Sequence, residues 1–308
     1  MVLAVVIPIF LLLLLGYLSV KLSLLNQFQV GTIGAFVLKI ALPALFLQSL
    51  ASKDLAEIWF PEYFLVYATV TFSLYAAAFL IIFKHFKHNI SETSVLSLGA
   101  SMSNTGLLGT AVLTLLMGQK AMMYTSLIVI IESVLLIPLV LILAEAGTKE
   151  KTNFIAIVKN TFLTLLKNPL FMGVVLGILC AIFKIHIPHY LDEVLTLLGK
   201  TASPLALFSI GGGIVGLSLK YVNLQSCYIV FSNNIMMPLL VFLGLYYLTD
   251  VSLEMVYAGT LIAALPMPTI FAMLGQLYGL NEKALTPLLM STILGFIVAS
   301  GLITLWWA

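Results

Sequence analysis

The sequence contains no arginine; all fourteen of its basic residues are lysines. Any anion site in this chain therefore lacks the planar, bidentate guanidinium fork. Charge of either sign is scarce, at 8% of 308 residues, and the net charge of +2 comes with no basic run. That excludes a nucleic-acid partner. It also excludes an ordinary soluble surface, which needs far more charge. Cysteine is rare too, and Cys180 and Cys227 both lie in apolar runs, where they read as small hydrophobes. The four histidines, His85, His88, His186 and His189, fall in loops or at the ends of apolar runs. They make no metal site, and no cofactor is expected.

What fills the chain instead is apolar: 62% of the residues are hydrophobic. Runs of about 20 mostly apolar residues cross a bilayer core, and ten such spans are expected, near 2–20, 31–51, 62–83, 92–117, 121–144, 169–185, 200–219, 223–249, 253–280 and 284–307. The first lacks the basic flank and small-residue cleavage site of a signal peptide and is kept as structure. The chain reads as an all-α polytopic membrane protein. Lysines set the orientation. Alternate loops hold Lys21, Lys84, Lys87, Lys149, Lys151, Lys159, Lys167, Lys220 and Lys283, against Lys53, Lys120, Lys184 and Lys200 on the other side. The richer side is expected to be cytoplasmic, with both termini on the opposite side of the cell membrane. The stretch "FIAIVKNTFLTLLKN" in loop 145–168 mixes apolar residues with Lys and Asn, a pattern suited to the membrane surface.

An internal repeat runs through the spans. "IPIFLLLLLGYLS" (7–19) aligns with "NPLFMGVVLGILC" (168–180) at an offset of 161, matching Pro8 with Pro169 and Gly16 with Gly177. The same offset sets Lys39-Ile40-Ala41-Leu42-Pro43 on Lys200-Thr201-Ala202-Ser203-Pro204. A five-span unit is odd in number, so its second copy enters the membrane upside down, an architecture common in secondary transporters. The expected domains are a first repeat, 1–144, a connecting loop, 145–168, and an inverted repeat, 169–308.

Against this background "SLGASMSNTGLLGTAVLTLLMG" (97–118) stands out, because Ser103, Asn104, Thr105 and Gly106 crowd the centre of the fourth span and no charge occurs between Glu92 and Lys120. Its repeat partner, the ninth span, carries Pro266, Met267 and Pro268 at its centre. Proline removes a helix donor and clashes with the preceding turn, so both spans are expected to be interrupted. Paired interruptions at mid-membrane point to a transporter's binding site. The second half of a broken helix begins with free N–H groups and partial positive charge, which can hold an anion without a cationic side chain. Ser103, Asn104 and Thr105 are expected to cap that start. Ordinary small-residue helix packing is the competing account of the 103–106 run.

Other intramembrane polar residues carry two readings each. Glu132, the one acid placed in a span core, is either a proton-coupling site or a neutral acid bonded to a neighbouring helix. Lys39 either snorkels to the membrane surface or pairs with Glu132 or a substrate carboxylate. Asn233 and Asn234 either line a cavity or bond between helices. Gly211, Gly212 and Gly213 either loosen their helix or let a neighbour approach.

Taken together, "FVLKIALPALFLQSLA" (36–51), "SNTGLLGTAVLTLLMG" (103–118), "KNPLFMGVVLGIL" (167–179) and "AALPMPTIFAMLGQLYG" (263–279) make the chain resemble the auxin efflux carrier family. That family includes plant auxin exporters and bacterial proteins labelled malate or malonate permeases. The resemblance covers the whole chain. It implies ten transmembrane helices in two inverted five-helix repeats, a scaffold domain beside a transport domain, and crossed, broken fourth and ninth helices, as in the sodium/proton antiporter and bile acid symporter group. It also implies that Asn104 faces substrate and that Pro266 and Pro268 form the ninth-helix break. The long cytoplasmic loop of many plant members is missing. The expected function is secondary transport of a small organic anion, with proton or sodium coupling and a homodimer left open. A bile-acid-type symporter is the alternative within transporters. An intramembrane enzyme or a channel is the alternative in another class, and no carboxylate cluster supports an enzyme.

Overall fold

The computed structural model describes residues 2–51, 59–148, 163, 166–167, 169–213, 215 and 222–307. Lys53, Lys149, Lys151, Lys159 and Lys220, and most of the stretch 154–168, lie outside them, so the lysine tally and the surface-lying loop stay expectations.

All regular structure among the described residues is helical. In chain order the helices are α1 Val2–Lys21, α2 Gln27–Phe36, α3 Leu42–Ala51, α4 Pro61–His85, α5 Ile90–Gly99, α6 Thr110–Met117, α7 Ala121–Ile130 and α8 Ile137–Thr148. The second half holds α9 Pro169–Phe183, α10 His189–Gly213, α11 Leu224–Phe231, α12 Met237–Leu248, α13 Leu253–Ala264, α14 Thr269–Leu277 and α15 Asn281–Trp306. Six helical stretches among the described residues are long and apolar enough to cross a membrane. One of them, Thr105–Gly147, is really two legs, because Gly118 takes φ +64° and α6 packs back against α7. Only a residue without a Cβ takes that backbone turn freely.

Four spans contain a wide π turn, over Val37–Ala41, Thr105–Gly109, Ile131–Leu136 and Ser232–Met236. Three of these have one physical origin. Pro43, Pro138 and Pro238 each stand two residues after the wide turn ends. A helical proline lacks the donor for the carbonyl four residues back, and its ring collides with that carbonyl. Here the residue before each proline reaches back five positions instead, Leu42 to Val37, Ile137 to Glu132 and Met237 to Ser232. The wide turns carry Lys39, Thr105, Glu132, Asn233 and Asn234, in keeping with the frequency of π turns at functional sites.

The helices sort into two groups. In one, α1 packs against α10 and α9 against α3. These contacts need glycine: a Cβ on Gly16 would lie 1.9 Å from the Phe208 carbonyl oxygen, and one on Gly211 would lie 1.9 Å from that of Leu13. Gly177 meets Phe46 and Leu47 in the same way, with the Phe46 oxygen 3.0 Å from a Cβ there. Small residues that let backbones touch are the usual means of packing where lipid offers no hydrophobic drive. The glycines at 211 and 212 therefore serve close approach within an unbroken helix rather than loosening it. In the other group, α5 packs on α8, α4 on α12 and α14 on α15. The two broken spans lie here.

Lys200 departs from its expected loop position. It is exposed but sits inside α10, which begins at His189, eleven residues before the expected span. The first turns of this helix carry Asp192 and Glu193, a polar stretch that the apolar-run criterion passes over.

Candidate functional site

The fourth span stops at Gly99. Ala100 and Ser101 turn back on Ser97 and Leu98, residues 102–104 are non-helical, and helix resumes at Thr105. The ninth span stops at Ala264, and Leu265 takes an extended backbone, φ −66° and ψ 157°, as a residue before proline must. Helix resumes at Thr269. Both expected interruptions are therefore present.

The two breaks satisfy each other. The Asn104 N–H donates to the Pro266 carbonyl at 2.8 Å, and the Ser103 hydroxyl donates to the Ala263 carbonyl at 3.0 Å. A second line of bonds runs from the Met267 N–H to the Ser291 hydroxyl (2.9 Å), from that hydroxyl to the Asn233 side-chain oxygen (3.2 Å), and from the Asn233 amide to the Met102 carbonyl (2.9 Å). The Asn234 amide reaches the Ala264 and Leu265 carbonyls at 3.3 and 3.4 Å. Non-helical backbone at membrane depth survives only when its polar groups are matched inside the protein or face a cavity. Both solutions occur here.

Beside the fourth-span break lies a cavity of about 430 Å³. The start of the resumed helix (Asn104, Thr105, Gly106 and Leu107) forms one wall. Glu132 and Ser133 from the wide turn after α7 form another, Pro268 comes from the second break, and Lys39 and Lys167 contribute the positive charge. The rest of the lining is apolar, including Leu38, Val129 and Ile137. The Asn104 side chain is 7% exposed and makes no hydrogen bond to any described residue, so its amide is free toward the cavity. Glu132, 2% exposed, is held differently: it accepts the Thr105 hydroxyl at 2.7 Å.

The sequence-based site is partly reassigned by this geometry. Ser103, Asn104, Thr105 and Gly106 converge on the cavity with Glu132 and Pro268. The side chains of the first three do not cap the resumed helix: Ser103 and Thr105 spend their hydroxyls on Ala263 and Glu132, and the Asn104 backbone carbonyl accepts from the Gly109 N–H at 2.8 Å. Asn233, Asn234, Pro266 and Met267 stand behind the breaks, outside the cavity lining. The amides of the two asparagines bond to carbonyls that the breaks expose, while Asn234 also lines a separate cavity of about 280 Å³ and its side-chain oxygen has no partner among the described residues. Lys39 lines the cavity from the wide turn before α3, and Glu132 takes Thr105 as its side-chain partner.

Two features escaped the sequence. Ser133 and Lys167 join the cavity only through tertiary contact. And α4 buries a stripe of hydroxyls, Tyr63, Tyr67, Thr71 and Tyr75, all 3% exposed or less. Their spacing of four was the available signal, since residues four apart share a helix face. Tyr75 bonds Ser94 at 2.7 Å, but the hydroxyls of Tyr63, Tyr67 and Thr71 have no partner among the described residues.

The chain is similar to known membrane transporters. A family model described as membrane transport protein matches residues 1–306. The chain is 25% identical over 303 residues to a putative malonate transporter of Rhizobium meliloti, covering 97% of this chain and 94% of that protein. It is 26% identical over 304 residues to an uncharacterized transporter, YfdV, of Escherichia coli K12, covering 96% and 94%, and equally similar to its counterpart in Shigella flexneri. With a broken-helix cavity in an apolar, all-helical chain and a family match over nearly its whole length, this protein belongs to the membrane transport protein family, that of the auxin efflux carriers.

Proposed function

We propose that this protein is a secondary transporter that moves a small organic carboxylate across the cell membrane by alternating access. The observation that carries the reading is Asn104: a nearly buried amide, without a partner among the described residues, beside the N-terminus of a half-helix in a cavity that also holds two lysines. Helix N-termini attract anions through their unpaired N–H groups and dipole. A volume of about 430 Å³ suits a small metabolite. The relative named as a putative malonate transporter makes malonate the first carboxylate to try.

Alternating access in this reading uses ten spans in two inverted five-helix repeats. Paired contacts support it. Gly16 and Gly177 stand 161 residues apart, as do Leu47 and Phe208, and Gly16 touches Phe208 while Gly177 touches Leu47. Two ion pairs correspond as well. Glu92 meets Lys283 at 3.5 Å and Glu254 meets Lys120 at 2.6 Å, with the glutamates 162 residues apart and the lysines 163. Each pair ties the start of a broken span to the first turn, or just before it, of the span following the other break. In this arrangement the α1, α2–α3, α9 and α10 group is the scaffold and the group with the breaks carries substrate.

Counterflow of labelled malonate, malate and indole-3-acetate in proteoliposomes tests the reading. Uptake of one of them, competed by its unlabelled form and lost in Asn104→Asp, is the expected result. Absence of counterflow with all three small carboxylates refutes it.

A further inference from the structure

Tyr63 and Tyr67 are fully buried, and their hydroxyls lack partners among the described residues. An unpartnered hydroxyl in a membrane core costs free energy unless water fills the gap. These two are not isolated. The ring of Tyr63 lies 6.0 Å from that of Tyr124 and 6.4 Å from that of Tyr67. The Tyr67 hydroxyl is near those of Ser103 and Thr105 without closing a hydrogen bond to either. Thr105 donates to Glu132. At the other end, Tyr124 lines a vestibule of about 510 Å³ with Lys120, and its hydroxyl faces Glu254 at 3.5 Å. None of the vestibule residues lines the Asn104 cavity. Glu132 therefore stands between the cavity and a line of hydroxyls that leads to a separate opening.

We propose that Tyr63, Tyr67 and Thr105, with buried waters between them, form a proton relay joining the Tyr124 vestibule to Glu132. A hydroxyl accepts on its oxygen and donates its own hydrogen, so a proton delivered to Tyr63 from vestibule water releases the Tyr63 proton to the next water. The same exchange at Tyr67 and Thr105 ends with an O–H bond on the Glu132 carboxylate. Each hydroxyl finishes with one proton and no electron changes owner. Thr105 is the link that touches both the relay and the cavity, and it is already bonded to the acceptor. The groups facing Glu132 are Tyr63 and Tyr67 from α4 and Lys39 and Lys167 across the cavity. Tyr124 lies one step further along, and Glu145, at the far end of α8, is occupied by Tyr278 at 3.0 Å. Use of this path to couple protons to cargo rests on the carboxylate reading; the path itself does not.

The test is decay of an imposed pH gradient in potassium- and valinomycin-clamped proteoliposomes, followed with a trapped pH dye in the absence of any carboxylate substrate. Wild-type protein should dissipate the gradient faster than protein-free vesicles. Tyr67→Phe and Tyr63→Phe keep the packed rings and should lower the protein-dependent rate about tenfold or more, as should Glu132→Gln. Tyr75→Phe, whose hydroxyl is already bonded to Ser94, should conduct as wild type. Melting temperatures of the purified variants confirm folding. Wild-type decay no faster than that of empty vesicles overturns the relay, as does wild-type decay in Tyr67→Phe. Counterflow of malonate, malate and indole-3-acetate at equal pH, run in parallel, separates the two claims: its absence with all three alongside protein-dependent proton flux removes the carboxylate reading and leaves the relay.

Discussion

The backbone N–H of Asn104 donates to the carbonyl of Pro266 at 2.8 Å, across 162 residues of sequence. One break thus satisfies the other, and the Asn104 side chain is left free for something else. A backbone donor spent on Pro266 and an amide with no partner among the described residues is the arrangement expected of a ligand group held by a rigid support.

Asn104 gives the sharpest outcome. In Asn104→Asp a negative charge faces a negative substrate in a low-dielectric site, and the repulsion should cost several kcal/mol of affinity. Asn104→Ala removes one hydrogen-bond partner and should cost about 1–3 kcal/mol. Binding calorimetry with malonate on monodisperse protein should rank wild type above Ala and Ala above Asp. Wild-type affinity in the Asp variant would remove Asn104 from the site.

Asn233 should behave in the opposite way. Asn233→Ala leaves the Met102 carbonyl and the Ser291 hydroxyl without their buried partner, and should lower stability by about 1–3 kcal/mol. Thermal unfolding reads this directly. A large loss of carboxylate affinity with an unchanged melting temperature would mean that Asn233 touches substrate after all.

Lys39 and Lys167 are exposed at the cavity, so water screens them. Lys39→Ala or Lys167→Ala should each weaken carboxylate binding by less than about 1 kcal/mol. The loss should shrink as salt is raised. Titrations at low and high ionic strength check both statements, and a salt-independent loss would place the lysine against the bound carboxylate.

The glycine contacts predict a packing phenotype. Gly16→Ala and Gly211→Ala drive a methyl into a backbone carbonyl and should each destabilise by roughly 1–3 kcal/mol or more. Gly31→Ala meets nothing within 4 Å and should leave the melting temperature within error of wild type.

Much of the fold was legible because a bilayer constrains sequence so strongly. Apolar runs mark helices, since a lipid-exposed segment must satisfy its own backbone. Pro266 and Pro268 announce a break, because proline's missing donor acts locally. The wide turns before Pro43, Pro138 and Pro238 were not legible in the same way, since Pro204 and Pro287 sit inside continuous helix. The Ser103–Gly106 run was visible as polarity with no local use. The polar start of α10 was not, since a hydropathy criterion cannot extend a helix over Asp192 and Glu193.

What the sequence by itself determined is an all-helical membrane transporter with interruptions near Ser103 and Pro266, which the structure places at residues 100–104 and 265–268. What only the tertiary structure decided is which polar residues remain free. Ser103, Thr105, Asn233 and Asn234 look as suitable for a ligand as Asn104, yet each is committed to a carbonyl or carboxylate far away in the chain. Hydrogen-bond partners at such separations leave no local pattern, and a buried amide or hydroxyl becomes a ligand group or a structural one by whether packing supplies it a partner.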